Sequence, residues 1–94
     1  MHVLRIEHRV PNFDGWRKAF DSDPIGREES GVRHHRVMRS ADDPNYVLID
    51  LEFDTEDAAN ATLTALRALW GQVEGKVMMG AQTRIVEVVE TREY

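Results

Sequence analysis

The residues of this chain best suited to chemistry are His8 and the adjacent pair His34 and His35, because it contains no cysteine to act as a thiol nucleophile or thiolate ligand. An imidazole titrates near neutral pH, which makes His8 and His34 candidate catalytic residues, as acid, base or hydrogen-bonding groups. Adjacent residues on a strand point to opposite faces, so His34 and His35 cannot together hold one metal ion. No HxxxH motif and no carboxylate–histidine pair stands at ligand spacing, and neither a metal nor a cofactor is expected. Arg5 with Asp50 is a second candidate pair, either buried and catalytic or an ion pair at an interface. Ser22, Ser30 and Ser40 lack a nucleophile-elbow context, and no glycine-rich phosphate loop follows a strand.

The elements that must position these groups can be read from hydrophobic period. Val3 to Val10 alternates, with Leu4, Ile6 and His8 on one side and Arg5, Glu7 and Arg9 on the other, which predicts a first strand. Asn12 is a candidate N-cap for an amphipathic helix carrying Phe13, Trp16 and Phe20 and stopping near Asp23 and Pro24. Ile25 to Gly31 reads as a connector, and Val32 to Ala41 as a second strand. The turn residues Asp42 to Asn45 then feed a third strand, Tyr46 to Phe53. Asp54 or Thr55 caps a second helix, with a buried stripe through Ala59, Leu63, Leu66, Leu69 or Trp70, and Val73; Gly71 and Gly75 are the two candidate stops. Gln82 to Glu90 is apolar on both sides and predicts a last strand covered on both.

Two strand–helix–strand halves with right-handed crossovers interleave into a ferredoxin-like βαββαβ fold of the α+β class. It is a four-stranded antiparallel sheet with two helices on one face. If the hairpin loop is Asp42 to Asn45, Ala41 pairs with Tyr46, and counting back puts His34 opposite Phe53, facing the helices. His8 faces the same way, and the two would share one end of a pocket walled by Phe13, Trp16, Phe20 and Phe53. A one-residue change in register would substitute His35 for His34. Two strand-end histidines that merely meet solvent would give the same pattern.

The helix-free face carries Arg5, Glu7, Leu48, Asp50 and Glu52. With a central Leu among charges of both signs, it suits a self-complementary contact between two copies, although a solvated face is also common in antiparallel sheets. A homodimer through this face is the expectation.

The strand–helix opening VLRIEHRVPNFDGWRKAF, the hairpin GVRHHRVMRSADDPNYVLIDLEF and the acidic helix start DTEDA resemble the dimeric α+β barrel superfamily, which includes antibiotic-biosynthesis monooxygenase-like and cyclase-like small bacterial proteins. The resemblance implies two sheets packed face to face and a site within each subunit between helices and sheet. One haem-degrading branch uses an Asn on the first strand, a Trp on the second helix and a later His. Trp70 matches the Trp, but the first strand here has no Asn and no His follows His35, so haem degradation is not expected.

Size and charge bound the rest. Ninety-four residues are expected to form a single domain spanning residues 1–94. With 12 basic against 17 acidic residues the net charge is -5, which disfavours nucleic acid and anionic lipid as partners. The start MHVLRIEHRV is too short and too charged for a signal peptide or a membrane span, so cytoplasmic residence is the expectation. The function expected is that of a monooxygenase-like or cyclase-like protein acting without metal or flavin on a hydrophobic, aromatic compound. The alternative is a non-catalytic dimeric module that binds a ligand or partner and shares only the fold.

Overall fold

The computed structural model describes all 94 residues. Its elements are β1 (His2–Arg9), α1 (Phe13–Asp21), β2 (Val32–Ser40), β3 (Asp43–Phe53), α2 (Glu56–Val73) and β4 (Met79–Glu87). The four strands form one antiparallel sheet in the order β2-β3-β1-β4, the ferredoxin-like topology expected from the element order. No helix is long and apolar enough to cross a membrane.

Alternation sets the two faces of the central pair. Leu4, Ile6 and His8 of β1 lie opposite Leu51, Ile49 and Val47 of β3, and all six are buried under the helices. Phe53, fully buried, extends the same row. Trp16 of α1 and Ala59, Leu63 and Leu66 of α2 close over it to make one hydrophobic cluster. Thr62 is buried on the same side of α2, a polar residue that a search for apolar spacing passes over.

Local chemistry sets the helix ends. Asn12 accepts the Gly15 N–H at 2.9 Å through Oδ1, the N-cap that its position predicts for α1. At α2 the cap is Thr55, whose Oγ1 accepts the Ala58 N–H at 3.1 Å; Asp54 instead pairs with Arg33 at 2.9 Å. Gly71 is helical, and the stop comes at Gly75, whose φ of 81° is the left-handed geometry that ends helices.

β1 and β2 differ from their expected bounds by one residue and the other two strands by more. β3 starts at Asp43 and β4 at Met79, each three residues before its expected first residue. At the other end β4 stops at Glu87 because its partner runs out: His2 pairs with Glu87, and the last backbone bond joins the Val88 N–H to the Met1 carbonyl at 3.0 Å. Within one chain β4 is covered on one side only. Ile85 is half-buried toward the helices, while Gln82, Arg84 and Val86 share the open face.

The hairpin register also departs from expectation. The turn is the two residues Ala41 and Asp42, with Ser40 opposite Asp43, and an irregularity then sets Arg39 opposite Val47. Pro44 has no N–H to give to a ladder, and Asp43 Oδ1 accepts the Asn45 N–H at 2.9 Å, so Pro44 to Tyr46 bulge out of the pairing. The result is a shift of one residue: His35 lies opposite Leu51 and His34 opposite Glu52. A second irregularity, at Arg33, returns Val32 to the helix side opposite Phe53.

Because Phe53 is wholly enclosed, Phe53→Ala is expected to lower unfolding free energy by about 3–5 kcal/mol, while Thr55→Ala should remove about 1 kcal/mol. Urea titration of both variants against the parent chain measures the two losses.

Candidate functional site

Between the sheet and the two helices lies a cavity of about 260 Å³, walled by 17 residues of which 13 are hydrophobic. Ile6, Ile49 and Leu51 make its floor. Trp16 and Phe20 sit four residues apart on α1, so both reach the same wall; their rings stack at 5.2 Å between centroids. The opposite wall is α2, through Leu66, Leu69, Trp70 and Val73. Segments following the helices complete it, with Ile25 and Arg27 after α1 and Val77 and Met78 after α2.

Of the four aromatic residues expected in the wall, Trp16 and Phe20 line the cavity. Phe13 stands outside it, between Trp16 at 5.7 Å and the guanidinium of Arg39 at 4.4 Å. Phe53 lies in the packed core away from the cavity. Sequence reasoning missed Ile25, Arg27 and Val77 as wall residues because loop residues carry no period that reveals a face.

His8 lines the cavity and is only 3% exposed. Its ring meets Trp16 edge-on at 5.9 Å, and Nδ1 lies 3.2 Å from the carbonyl oxygen of Arg9. A carbonyl can only accept, so Nδ1 carries the proton and Nε2 is left as the basic nitrogen. Burial pushes the His8 imidazolium below its ordinary pKa, against smaller opposing effects of the Arg9 carbonyl and the Glu74 carboxylate. The ring is accordingly neutral at pH 7.

The expected orientation of His34 is corrected by the hairpin register. His34 shares the helix-free face with Glu52, and it is His35 that turns toward the helices, its ring 5.4 Å from Phe20. Neither joins His8 at one end of the sheet. His8 pairs at Val47 and His35 at Leu51, four residues farther along β3, or roughly 13 Å at the strand rise. β1 and β2 run parallel with β3 between them; His8 lies near the end of the first, whereas His34 and His35 lie near the start of the second. His34 and His35 line instead an outer polar cleft of about 390 Å³, with Asp23, Arg27, Glu28, Val32 and Arg33.

On the helix-free face Arg5 grips Asp50 through two parallel bonds, Nε to Oδ1 at 2.8 Å and Nη2 to Oδ2 at 2.7 Å. This pair raises the Arg5 pKa and lies on the opposite side of the sheet from the cavity. Tyr46 donates its hydroxyl to Glu7 at 2.6 Å, which raises the phenol above its usual pKa. No group of three His, Asp or Glu side chains converges as a metal site would require.

The depressed His8 pKa fixes the sign of a pH effect. Between the folded value and the ordinary value of about 6.5 the unfolded chain binds more protons, so stability from this residue is complete above pH 6.5 and falls as pH drops below it. Urea midpoints should therefore fall between pH 7 and pH 5, and by less in His8→Gln. The His8 ring protons should titrate with a midpoint below 6.5 in NMR spectra.

No protein-family model matches the chain, and no curated protein sequence does. Solved structures do. SnoaB, a cofactor-independent oxygenase from Streptomyces nogalater, superposes with a TM-score of 0.71 at 16% identity, covering 96% of this chain and 94% of that one. A point mutant of MhuD, solved with two manganese protoporphyrin IX molecules bound per active site, gives 0.73 at 21% identity over 100% of both chains. A dimeric ferredoxin-like protein from an uncultured marine organism gives 0.67 at 13%, covering 97% of each. At such identities the likeness is one of fold: the chain has the ferredoxin-like architecture seen in antibiotic biosynthesis monooxygenases.

Proposed function

We propose that this chain is a monooxygenase-like or cyclase-like protein that takes a hydrophobic, aromatic compound into the cavity between helices and sheet and acts on it without metal or flavin. The observation that carries this reading is a neutral, buried imidazole, that of His8, on the wall of an otherwise apolar cavity. A basic Nε2 held in dry surroundings is suited to removing a proton from an acidic C–H or phenolic O–H. The aromatic ligand then becomes a delocalised anion. Such an anion can pass an electron to dioxygen or attack a carbonyl within the same molecule, so the same base serves an oxygenation or a cyclisation. Trp16, Phe20 and Trp70 supply flat apolar walls that hold a planar ring. A fold shared with a cofactor-independent oxygenase supports this reading.

The protein acts as a homodimer through its helix-free sheet face, with Arg5, Glu7, Leu48, Asp50 and Glu52 at the contact. Support comes from the half-buried Leu48 and the 36%-exposed Val86 on that face, and from the dimeric description of a protein with this fold. His8 lies on the other side of the sheet, so dimer and cavity are separable.

Anthrone, whose ring methylene is acidic, tests the chemistry. In deuterated buffer without oxygen the protein should speed deuterium entry at that carbon, and His8→Gln should slow the catalysed exchange about 10²-fold or more. Equal exchange rates in both proteins would end the proposal. Sedimentation at tens of micromolar, roughly the regime of weak specific association, should give a dimer, and Leu48→Glu should give a monomer that still unfolds cooperatively.

A further inference from the structure

Among the residues around the cavity, Arg27 alone combines a permanent charge with a place in both the apolar cavity and the outer polar cleft. It follows α1 in the connector, and its side chain is only 17% exposed. Three contacts hold it. Nη1 donates to the Phe20 carbonyl at 2.8 Å and stands 3.5 Å from Asp23 Oδ1, and the guanidinium carbon lies 3.9 Å over the Phe20 ring. Asp23 is itself fixed, at a φ of 53° and with Oδ1 accepting the Arg27 N–H at 2.9 Å.

Both polar side-chain contacts of Arg27 use Nη1, which leaves Nε and Nη2 without a protein acceptor. Those two nitrogens form one edge of the planar fork that receives a carboxylate through parallel hydrogen bonds. A guanidinium already stacked and anchored loses little freedom on binding, and low exposure strengthens its attraction for an anion. Asp23 offsets part of this charge through one nitrogen, and Glu28 lies in the outer cleft beside it, where Arg33 is already committed to Asp54.

We infer that the ligand of this cavity is an aromatic carboxylate, its rings against Trp16 and Phe20 and its anionic group at the mouth on the free edge of Arg27. This rests on the cavity being a ligand site, as proposed above, and adds the class of ligand. A neutral aromatic compound would leave the Arg27 edge unpaired at the mouth. Wholly inorganic anions would leave the apolar walls without a partner.

The experiment compares 2-naphthoate with its neutral analogue 2-naphthalenemethanol by tryptophan fluorescence titration of the intact protein, Trp16 and Trp70 both lining the cavity. The carboxylate should bind about ten-fold or more tightly than the alcohol, the scale of a charge-assisted bond. In Arg27→Gln the preference should vanish, the ratio of the two affinities falling to about one. Equal affinity of the two probes in the parent chain overturns the inference and leaves the cavity reading standing. Failure of both probes to bind overturns the two together. Should Arg27→Gln not fold, the comparison in the parent chain decides alone, and a carboxylate preference that persists in a folded Arg27→Gln assigns the anion to another group and rejects Arg27.

Discussion

The pairing of β1 with β3 is the constraint on which the rest of the molecule depends. Leu4, Ile6 and His8 stand opposite Leu51, Ile49 and Val47, and this row is the surface over which both helices pack. The register is held strongly, because a slip of β3 by one residue against β1 would bring Asp50 and Glu52 under the helices and expose the buried Val47, Ile49, Leu51 and Phe53. On the reverse face the same register brings Arg5 to Asp50 with both bonds of the fork formed. One set of backbone hydrogen bonds thus determines the core, the cavity floor and the charge pattern of the open face.

His8 is the exception within that row. A histidine in an apolar layer is penalised as a cation, and the surrounding core sets its protonation state. One nitrogen is satisfied by the Arg9 carbonyl, so the residue does not leave its donor unpaired. The position thus trades some tolerance of acid for a neutral base among Trp16, Ile6 and the α2 wall.

The cavity exists because the helices do not fill the space above β3. Aromatic side chains on α1 and a tryptophan near the end of α2 stand off from the floor as walls, and the segments after each helix close the ends. Those segments are loops, whose backbone polar groups keep them near the surface, and they bring charge to the mouth. Arg27 is the clearest case, anchored by Phe20 and Asp23 at the junction of an apolar and a polar space.

The sequence by itself determined what depends on short-range pattern. Alternation in β1 and β3 assigned His8, Val47, Ile49, Leu51 and Phe53 to the helix side, Asn12 marked the start of α1, and the order of elements set the topology. The resemblance to the dimeric α+β barrels pointed to the same architecture. The tertiary structure decided the side of β2 that meets the helices. Asp42 to Asn45 reads as turn in the sequence, but the turn is only Ala41 and Asp42, and where pairing resumes, at Arg39 opposite Val47, is set by the seating of β2 on β3, which exchanged His35 for His34. It also decided how far apart the histidines lie, because the separation of two parallel strands along a shared neighbour is set by long-range pairing. Arg27, Ile25 and Val77 entered the cavity wall through the path of loops, which follows from how the helices seat on the sheet and leaves no periodic trace in the residues themselves.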